Sequence, residues 1–401
     1  MTDVRKEKVM VAGHLCLDIT PRFAASQRFD FNSAFSPGKL TNVEDAVLST
    51  GGPVSNTGLA LAKLGVDVVL NGKIGLDEFG NIIKRAVGEE RAKAFKVVPD
   101  QNSSYTIVIS PPGIDRFYLH NPGTNDTFGA DDIDYDLVKD CLLFHFGYPP
   151  LMRKMYEEDG LELIRMYRKV KELKITTSMD MVAVDPSSPA GKANWPKILE
   201  QVLPSVDIFM PSIDEITFML DRALYDKKLE QANRQDPVLV YEPEDIAGMA
   251  ERLIAMGVAI AAIKCGVRGV YLRSADQRRV DNLGSARPAD IRMWAEREIW
   301  AASFTAENMG STLGAGDATI AGFLCGFIRG FTPEETIQIA NTVGWQNVQE
   351  IDAVSGIKDW QSTLDLLEDR SRRRNPTGLE SYNWDYSKQT QVYHGPRDRG
   401  I

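Results

Sequence analysis

The chain has 401 residues, 43% of them hydrophobic, and a formal net charge of −10, which allows one large α/β domain with an accessory piece or two modest domains. That acidic balance argues against nucleic acid as a partner, since duplex binding needs a basic footprint, but not against a nucleotide held locally by amides and Mg2+. No apolar run approaches the roughly 20 residues of a membrane span, so a membrane partner is not expected.

The first eight residues are short and charged, unlike a secretory signal, and lead into an apolar strand at 9–12. A polar, Phe-containing stretch at 22–48 follows, then a helix at 54–64 and a strand at 68–70. Strand-like runs at 105–109 and 117–119 flank Pro111-Pro112-Gly113, a turn signal that reads as a hairpin. From Cys141 the pattern becomes strand–helix alternation. Apolar runs at 142–146, 175–179, 206–210 and 259–263 are separated by helical stretches such as 161–173 and 246–256. Such alternation predicts a parallel sheet covered on both faces, a Rossmann-like α/β core with a smaller β-rich element from the first third of the chain. Ligands in such sheets bind beyond the carboxyl ends of the strands.

Residues 221–243 read as a polar insertion, and 371–401 as a tail that is either disordered or an arm for a partner subunit, with Arg372-Arg373-Arg374 a solvated charge cluster. Trp294, Trp300 and Phe304 read as core. The four cysteines, Cys16, Cys141, Cys265 and Cys325, lie far apart in apolar contexts and fit reduced residues of a cytoplasmic protein. His14, His120, His145 and His394 show no metal-ligand spacing.

The most informative stretch is Ser311-Thr312-Leu313-Gly314-Ala315-Gly316-Asp317, followed by the small-residue helix that starts at Ala318. Gly314, Ala315 and Gly316 leave main-chain N–H groups bare where a helix begins, which suits a phosphate or a developing phosphoryl charge. Asp317 at that entrance is badly placed to hold an anion and well placed to take a proton from an attacking hydroxyl. The same Gly-Ala-Gly-Asp could be a turn with an N-cap, because Asp favours capping positions. A dinucleotide fingerprint would instead follow the first strand, and no Gly-x-x-x-x-Gly-Lys-Ser/Thr loop is present.

Further blocks carry a resemblance. Gly51-Gly52-Pro53-Val54-Ser55-Asn56 with 59–65, Gly72-Lys73-Ile74-Gly75-Leu76-Asp77-Glu78-Phe79-Gly80, and 311–317 resemble in order the signatures of the ribokinase/PfkB family of sugar and nucleoside kinases. The resemblance runs from about residue 9 to 356. It implies a single kinase domain over 1–370, with a small β-sheet lid from about 22–50 and 104–121, and an ATP- and Mg2+-dependent transfer to a hydroxymethyl group. It implies Asp317 as base, the Gly314, Ala315 and Gly316 amides as anion hole, and Asp18, Gly51, Gly52 and Asn56 as the sugar site. On the nucleotide side it implies Ser212, Glu215 (through water on Mg2+), Lys264, Gly266, Gly269 and Asn341, the last near the adenine. A homodimer through the lid is also implied.

This chain departs from the family pattern at Ser212 (usually Asn), at Val54 and Gly58 (usually Pro and Ala), and at Cys16 (Asn in ribose-specific members). Ser311 stands where many members have an Asp that helps hold a monovalent cation, and 178–182 lacks the Asp-x-Asn-x-Arg element. The leading expectation is a sugar kinase. A nucleoside kinase, or a sugar- or nucleotide-binding regulator that keeps the fold without turnover, are the alternatives. Phe23, Phe29, Phe31, Phe35 and Phe117 in the lid permit a base-binding slot, and Arg116 is either a substrate contact or a strand-edge charge.

Overall fold

The structure is a computed structural model that describes residues 7–24, 36–111, 117–306, 310–369, 372–379 and 381–399. In chain order its strands are β1 (Lys8–Gly13), β2 (Cys16–Pro21), β3 (Ala46–Gly51), β4 (Asp67–Asn71), β5 (Lys73–Gly75), β6 (Lys96–Val98), β7 (Tyr105–Ile109) and β8 (Phe117–Asn121). The second half adds β9 (Leu143–Gly147), β10 (Thr176–Met179), β11 (Ile208–Phe209), β12 (Ile260–Lys264), β13 (Val270–Ser274), β14 (Glu298–Ala301), β15 (Asp385–Ser387) and β16 (Val392–His394).

Ten strands form one sheet in the order β15-β16-β14-β13-β12-β11-β10-β9-β1-β4. The run from β4 to β12 is parallel, and β13, β14, β15 and β16 join it antiparallel. Strands such as β9 (Leu-Phe-His-Phe-Gly) and β1 are buried along most of their length because helices cover both faces. One apolar cluster gathers Phe144, Phe146, Tyr167 and Trp195, and the other gathers Val9, Val11, Leu61, Phe323 and Phe327. The four cysteines are buried and free, and Trp294, Trp300 and Phe304 are core residues.

The helix Ala315–Ile328 lies against the helix Pro333–Asn347, and small residues set how closely. A Cβ on Gly322 would stand 2.9 Å from the Ile339 carbonyl oxygen. Glycine at 322, within the small-residue helix, therefore lets the two helix backbones meet closely.

A second sheet, β3-β2-β7-β8, forms the lid. Its strands lie where the sequence placed a lid, with β2 added. That strand escapes a periodicity reading because Cys16-Leu17-Asp18-Ile19-Thr20-Pro21 is short and ends in proline. Lid residues 25–35 and 112–116, with Phe29, Phe31, Phe35 and Arg116, lie outside the described residues.

Two stretches differ from their sequence reading. Residues 222–231 of the supposed insertion form the helix Arg222–Gln231, capped by Asp221, whose carboxylate accepts from Leu224 N–H at 3.0 Å. The tail supplies β15 and β16, which extend the main sheet beyond β14. Trp384 of the tail meets Tyr271 and Trp300 edge-on, with ring centroids 6.0 and 5.9 Å away. Of the three tail arginines, Arg373 is exposed as expected, but its two neighbours are anchored. The Arg374 guanidinium donates to Ala302 O at 2.8 Å and lies 4.2 Å from the Phe304 ring, while Arg372 lies 4.7 Å from that of Trp345. Aromatic and hydrogen-bonding anchors spaced irregularly along a polar segment give no hydrophobic period to detect.

The tail is tied in by charge as well. Asp398 accepts from Arg297 Nε at 2.8 Å and from Glu298 N–H at 3.1 Å, and Arg297, only 4% exposed, also reaches Glu334. Breaking a buried pair leaves an uncompensated charge behind. Asp398→Ala is expected to lower unfolding stability by about 3 kcal/mol, checked by chemical denaturation; an unchanged midpoint would show that the tail only decorates the sheet.

Candidate active site

The chain reverses into the helix Ala315–Ile328 at Gly314, whose φ of 72° lies in the left-handed region. Asp317 falls in the first turn of that helix, 1% exposed. Three side chains converge on its carboxylate. Asn56 Nδ2 donates to Oδ2 at 2.9 Å, Thr57 Oγ1 donates to Oδ1 at 3.4 Å, and the Tyr148 hydroxyl lies 3.1 Å from both oxygens. Burial raises the Asp317 pKa above the usual carboxylate range, and these donors together with the Lys264 charge pull it back.

Asp317 lines a cavity of about 280 Å³ together with Tyr118, Tyr148, Asp180, Met181, Ser212, Glu215, Lys264, Thr312, Leu313, Gly314 and Gly316. Among the described residues, the N–H groups of Gly314, Gly316 and Asp317 have no main-chain acceptor. The Ala315 N–H does not belong with them: it donates to Thr312 O at 3.2 Å, which closes the turn. Of the three amides expected to form an anion cradle, those of Gly314 and Gly316 are therefore the ones without a main-chain acceptor.

Ser212 caps the helix Ile213–Leu220, and its N–H donates to Glu215 Oε2 at 2.6 Å. Burial lifts the Glu215 pKa to about 7, against the lowering influence of Lys264. The Lys264 ammonium donates to the Met210 carbonyl at the edge of the same cavity. Asp180 is fully buried, its Oδ2 has no hydrogen-bond partner among the described residues, and burial holds its pKa well above the usual range. Three carboxylates whose charged forms burial disfavours share a single cavity with one ammonium, and a bound cation would favour their ionised forms.

The sugar-site candidates sit on the lid side of Asp317. Asp18 lies on β2, 8% exposed, and burial lifts its pKa to about 6. A Cβ on Gly51 would stand 2.3 Å from Asp18 Oδ2, and one on Gly52 (φ 88°) would stand 2.5 Å from His14 O, so both positions need glycine for backbone approach. Asn56, expected at the sugar, spends its amide donor on Asp317. Asp18, Gly51 and Gly52 do not line the 280 Å³ cavity, to which the lid contributes Tyr118.

Two groups expected on the nucleotide side have partners within the fold. Asn341 is buried and its amide donates to Ala301 O at 2.8 Å, which holds the end of β14. Gly266 and Gly269, both with positive φ, form the turn from β12 to β13; a Cβ on Gly269 would lie 2.0 Å from Ala301 O. Gly269 thus packs against the end of β14, whereas a Cβ on Gly266 would meet Val238 at 3.4 Å.

Sequence reasoning missed Tyr148, Asp180, Thr57 and His14. The His14 ring is 3% exposed, neither ring nitrogen has a partner among the described residues, and burial together with neighbouring His120 lowers its pKa to about 3. His120, on lid strand β8, stands 5.2 Å away by ring centroids and 3.0 Å from Thr106 Oγ1. A signal for these residues existed. His14, Tyr148 and Asp180 directly follow the carboxyl ends of β1, β9 and β10, where α/β sheets place their ligands.

Residues 6–360 match the model of the pfkB family of carbohydrate kinases. The chain belongs to that family. It is a carbohydrate kinase, a phosphotransferase with the ribokinase-like fold of a large, mostly parallel sheet and a small four-stranded lid. A sugar kinase of Archaeoglobus fulgidus, uncharacterized in its activity, is 26% identical over 301 residues, 75% of this chain and 98% of its own. The structure of Arabidopsis thaliana ribokinase complexed with ribose and ATP superposes with a TM-score of 0.66 at 19% identity, covering 90% of this chain and 99% of that one. An E. coli structure complexed with ATP and Mg2+ superposes with a TM-score of 0.61 at 19% identity, with the same two coverages. Among the described residues of the pfkB kinase, no helix is long and apolar enough to cross a membrane.

Proposed function

We propose that this pfkB kinase transfers the γ-phosphoryl group of ATP to a hydroxymethyl group of a sugar or sugar derivative, with Asp317 as general base. The observation that carries the reading is that the Asp317 carboxylate and the Gly314 and Gly316 backbone, with its free N–H groups, line one cavity. Asp317 takes the proton of the acceptor hydroxyl as its oxygen bonds to phosphorus and the bond from that phosphorus to the ADP oxygen breaks. The amides at the helix start neutralise charge on the transferring group without reorganising. The lid excludes water, which would otherwise accept the phosphoryl group.

Asp180 and Glu215 suit Mg2+. Among the described residues no three His, Cys, Asp or Glu side chains form a direct metal cage, so these carboxylates would reach the ion through its water shell. Mg2+, when bound, offsets the phosphate charge. Lys264, whose ammonium lies at the same cavity, would add to that neutralisation, and the Gly266–Gly269 turn would border the nucleotide. Sugar hydroxyls would be read by Asp18, a pure acceptor, and by His14 and His120, whose neutral rings each offer one donor and one acceptor. The exposed lid side chains Leu48 and Leu119 support a homodimer through the lid, and the four reduced thiols support a cytoplasmic setting.

A coupled ADP-release screen over sugars and nucleosides tests the reading. ADP formation should depend on an added sugar and match sugar phosphate one for one. Turnover restricted to nucleosides would move the assignment to a nucleoside kinase, and ligand binding without turnover would make the protein a regulator.

A further inference from the structure

We propose that Tyr148 is a positioning residue for Asp317, its hydroxyl shared between the two carboxylate oxygens so that the buried acid stays ionised and aimed until a substrate arrives. The inference rests on Asp317 being the base. Asn56 and Thr57 come from one helix, Pro53–Lys63, and each touches a single oxygen, whereas Tyr148, from the end of β9, bridges both.

The chain goes to some length to put this hydroxyl there. Tyr148 has φ 60° and ψ 44°, a left-handed conformation uncommon for a bulky residue, and Pro149 follows it, which further disfavours helical backbone values. Its N–H donates to Asp180 Oδ1 at 3.3 Å, so a buried carboxylate across the strand ends holds the turn. The ring is confined beside His14, with centroids 6.3 Å apart. Burial, and then the Asp317 charge, keep the phenol neutral and therefore a donor.

The arrangement also serves the step after proton transfer. When the acceptor O–H bond breaks and an Asp317 O–H bond forms, the new acid needs an acceptor. The Asn56 Nδ2 group can only donate. The Tyr148 oxygen has lone pairs and can accept once its own hydrogen rotates away. The proton then leaves Asp317 to solvent after the product departs, and Tyr148 returns to donating.

Removing a hydrogen bond to the ionised form raises an acid's pKa. Tyr148→Phe keeps the ring beside His14 and removes only the hydroxyl. Its kcat/KM, as a ratio to wild type, should fall about tenfold further on the acid limb than on the alkaline plateau, because the limb moves up by roughly one on the pH scale. The KM for ATP should not change. A uniform loss at every pH would overturn the proposal and leave Tyr148 a packing residue. Site-specific 3-fluorotyrosine at position 148 covers the case of a misfolded Phe variant: its more acidic phenol donates more strongly and should move the limb the opposite way, and an unmoved limb is again a refutation. A last comparison does not depend on turnover. The gain in melting temperature from Asp317→Asn at pH 8 should be larger in the Tyr148→Phe background; equal gains contradict the coupling, whatever the fate of the kinase assignment.

Discussion

Asp317→Asn is expected to lower kcat by about 10²–10⁴-fold, the range that general-base catalysis contributes, while the KM values for sugar and ATP change little. Asn keeps the shape and the contact with the Tyr148 hydroxyl but cannot take a proton. The same variant should melt at a higher temperature than wild type at neutral pH. The sign follows from linkage. The folded-state pKa of Asp317 is raised by burial, so its contribution to stability is fully present below the unfolded pKa and is lost as pH rises through the folded value. Above that value the native state carries a buried charge, which Asn removes. A variant that is inactive and also less stable than wild type would point to a structural carboxylate instead of a base.

Asp18→Asn should act on the other half of the reaction. Losing a charge-assisted acceptor for sugar hydroxyls costs about 1.5–3 kcal/mol, which is roughly a 10- to 150-fold fall in kcat/KM for the sugar with the KM for ATP unaffected. Wild type should show the same weakness on acidification. Asp18 has its pKa raised to about 6 by burial, so below that pH it binds a proton and loses acceptor capacity. The KM for sugar should therefore rise as pH falls through about 6, and Asp18→Asn should abolish that dependence. Its persistence in the variant would place the titrating group elsewhere. For stability the sign is opposite: the raised pKa of Asp18 favours the native state at low pH and the benefit fades as pH rises through about 6.

Much of this architecture is legible in the sequence, because apolar periodicity and small-residue spacing act locally. The strands at 105–109 and 117–119, the helices at 54–64 and 161–173, and the helix that begins at Ala315, three residues before the sequence reading put it, follow from patterns within a dozen residues. What surrounds Asp317 does not. Tyr148 reaches it across 169 positions and Asn56 across 261, and no local pattern encodes which strand end faces which helix. Asn341 shows the converse: a polar residue at a plausible place whose amide is consumed by the Ala301 carbonyl, a demand visible only when β14 and the helix Pro333–Asn347 are packed together. The tail was illegible for another reason. Its anchors, Trp384, Arg374 and Asp398, bind individually to distant partners and share no period.

The proposed phosphoryl transfer requires one geometry: an acceptor hydroxyl lying between the Asp317 carboxylate and a phosphoryl group seated on bare amides. A crystal structure of the ternary complex with a turned-over sugar and a non-hydrolysable ATP analogue would show whether it exists. The expected result is a hydroxyl oxygen at hydrogen-bond distance from Asp317, about 2.6–3.2 Å, with the γ-phosphate oxygens on the Gly314 and Gly316 N–H groups. A sugar bound with its reactive hydroxyl turned away from Asp317, or a γ-phosphate seated elsewhere than the start of that helix, would contradict it.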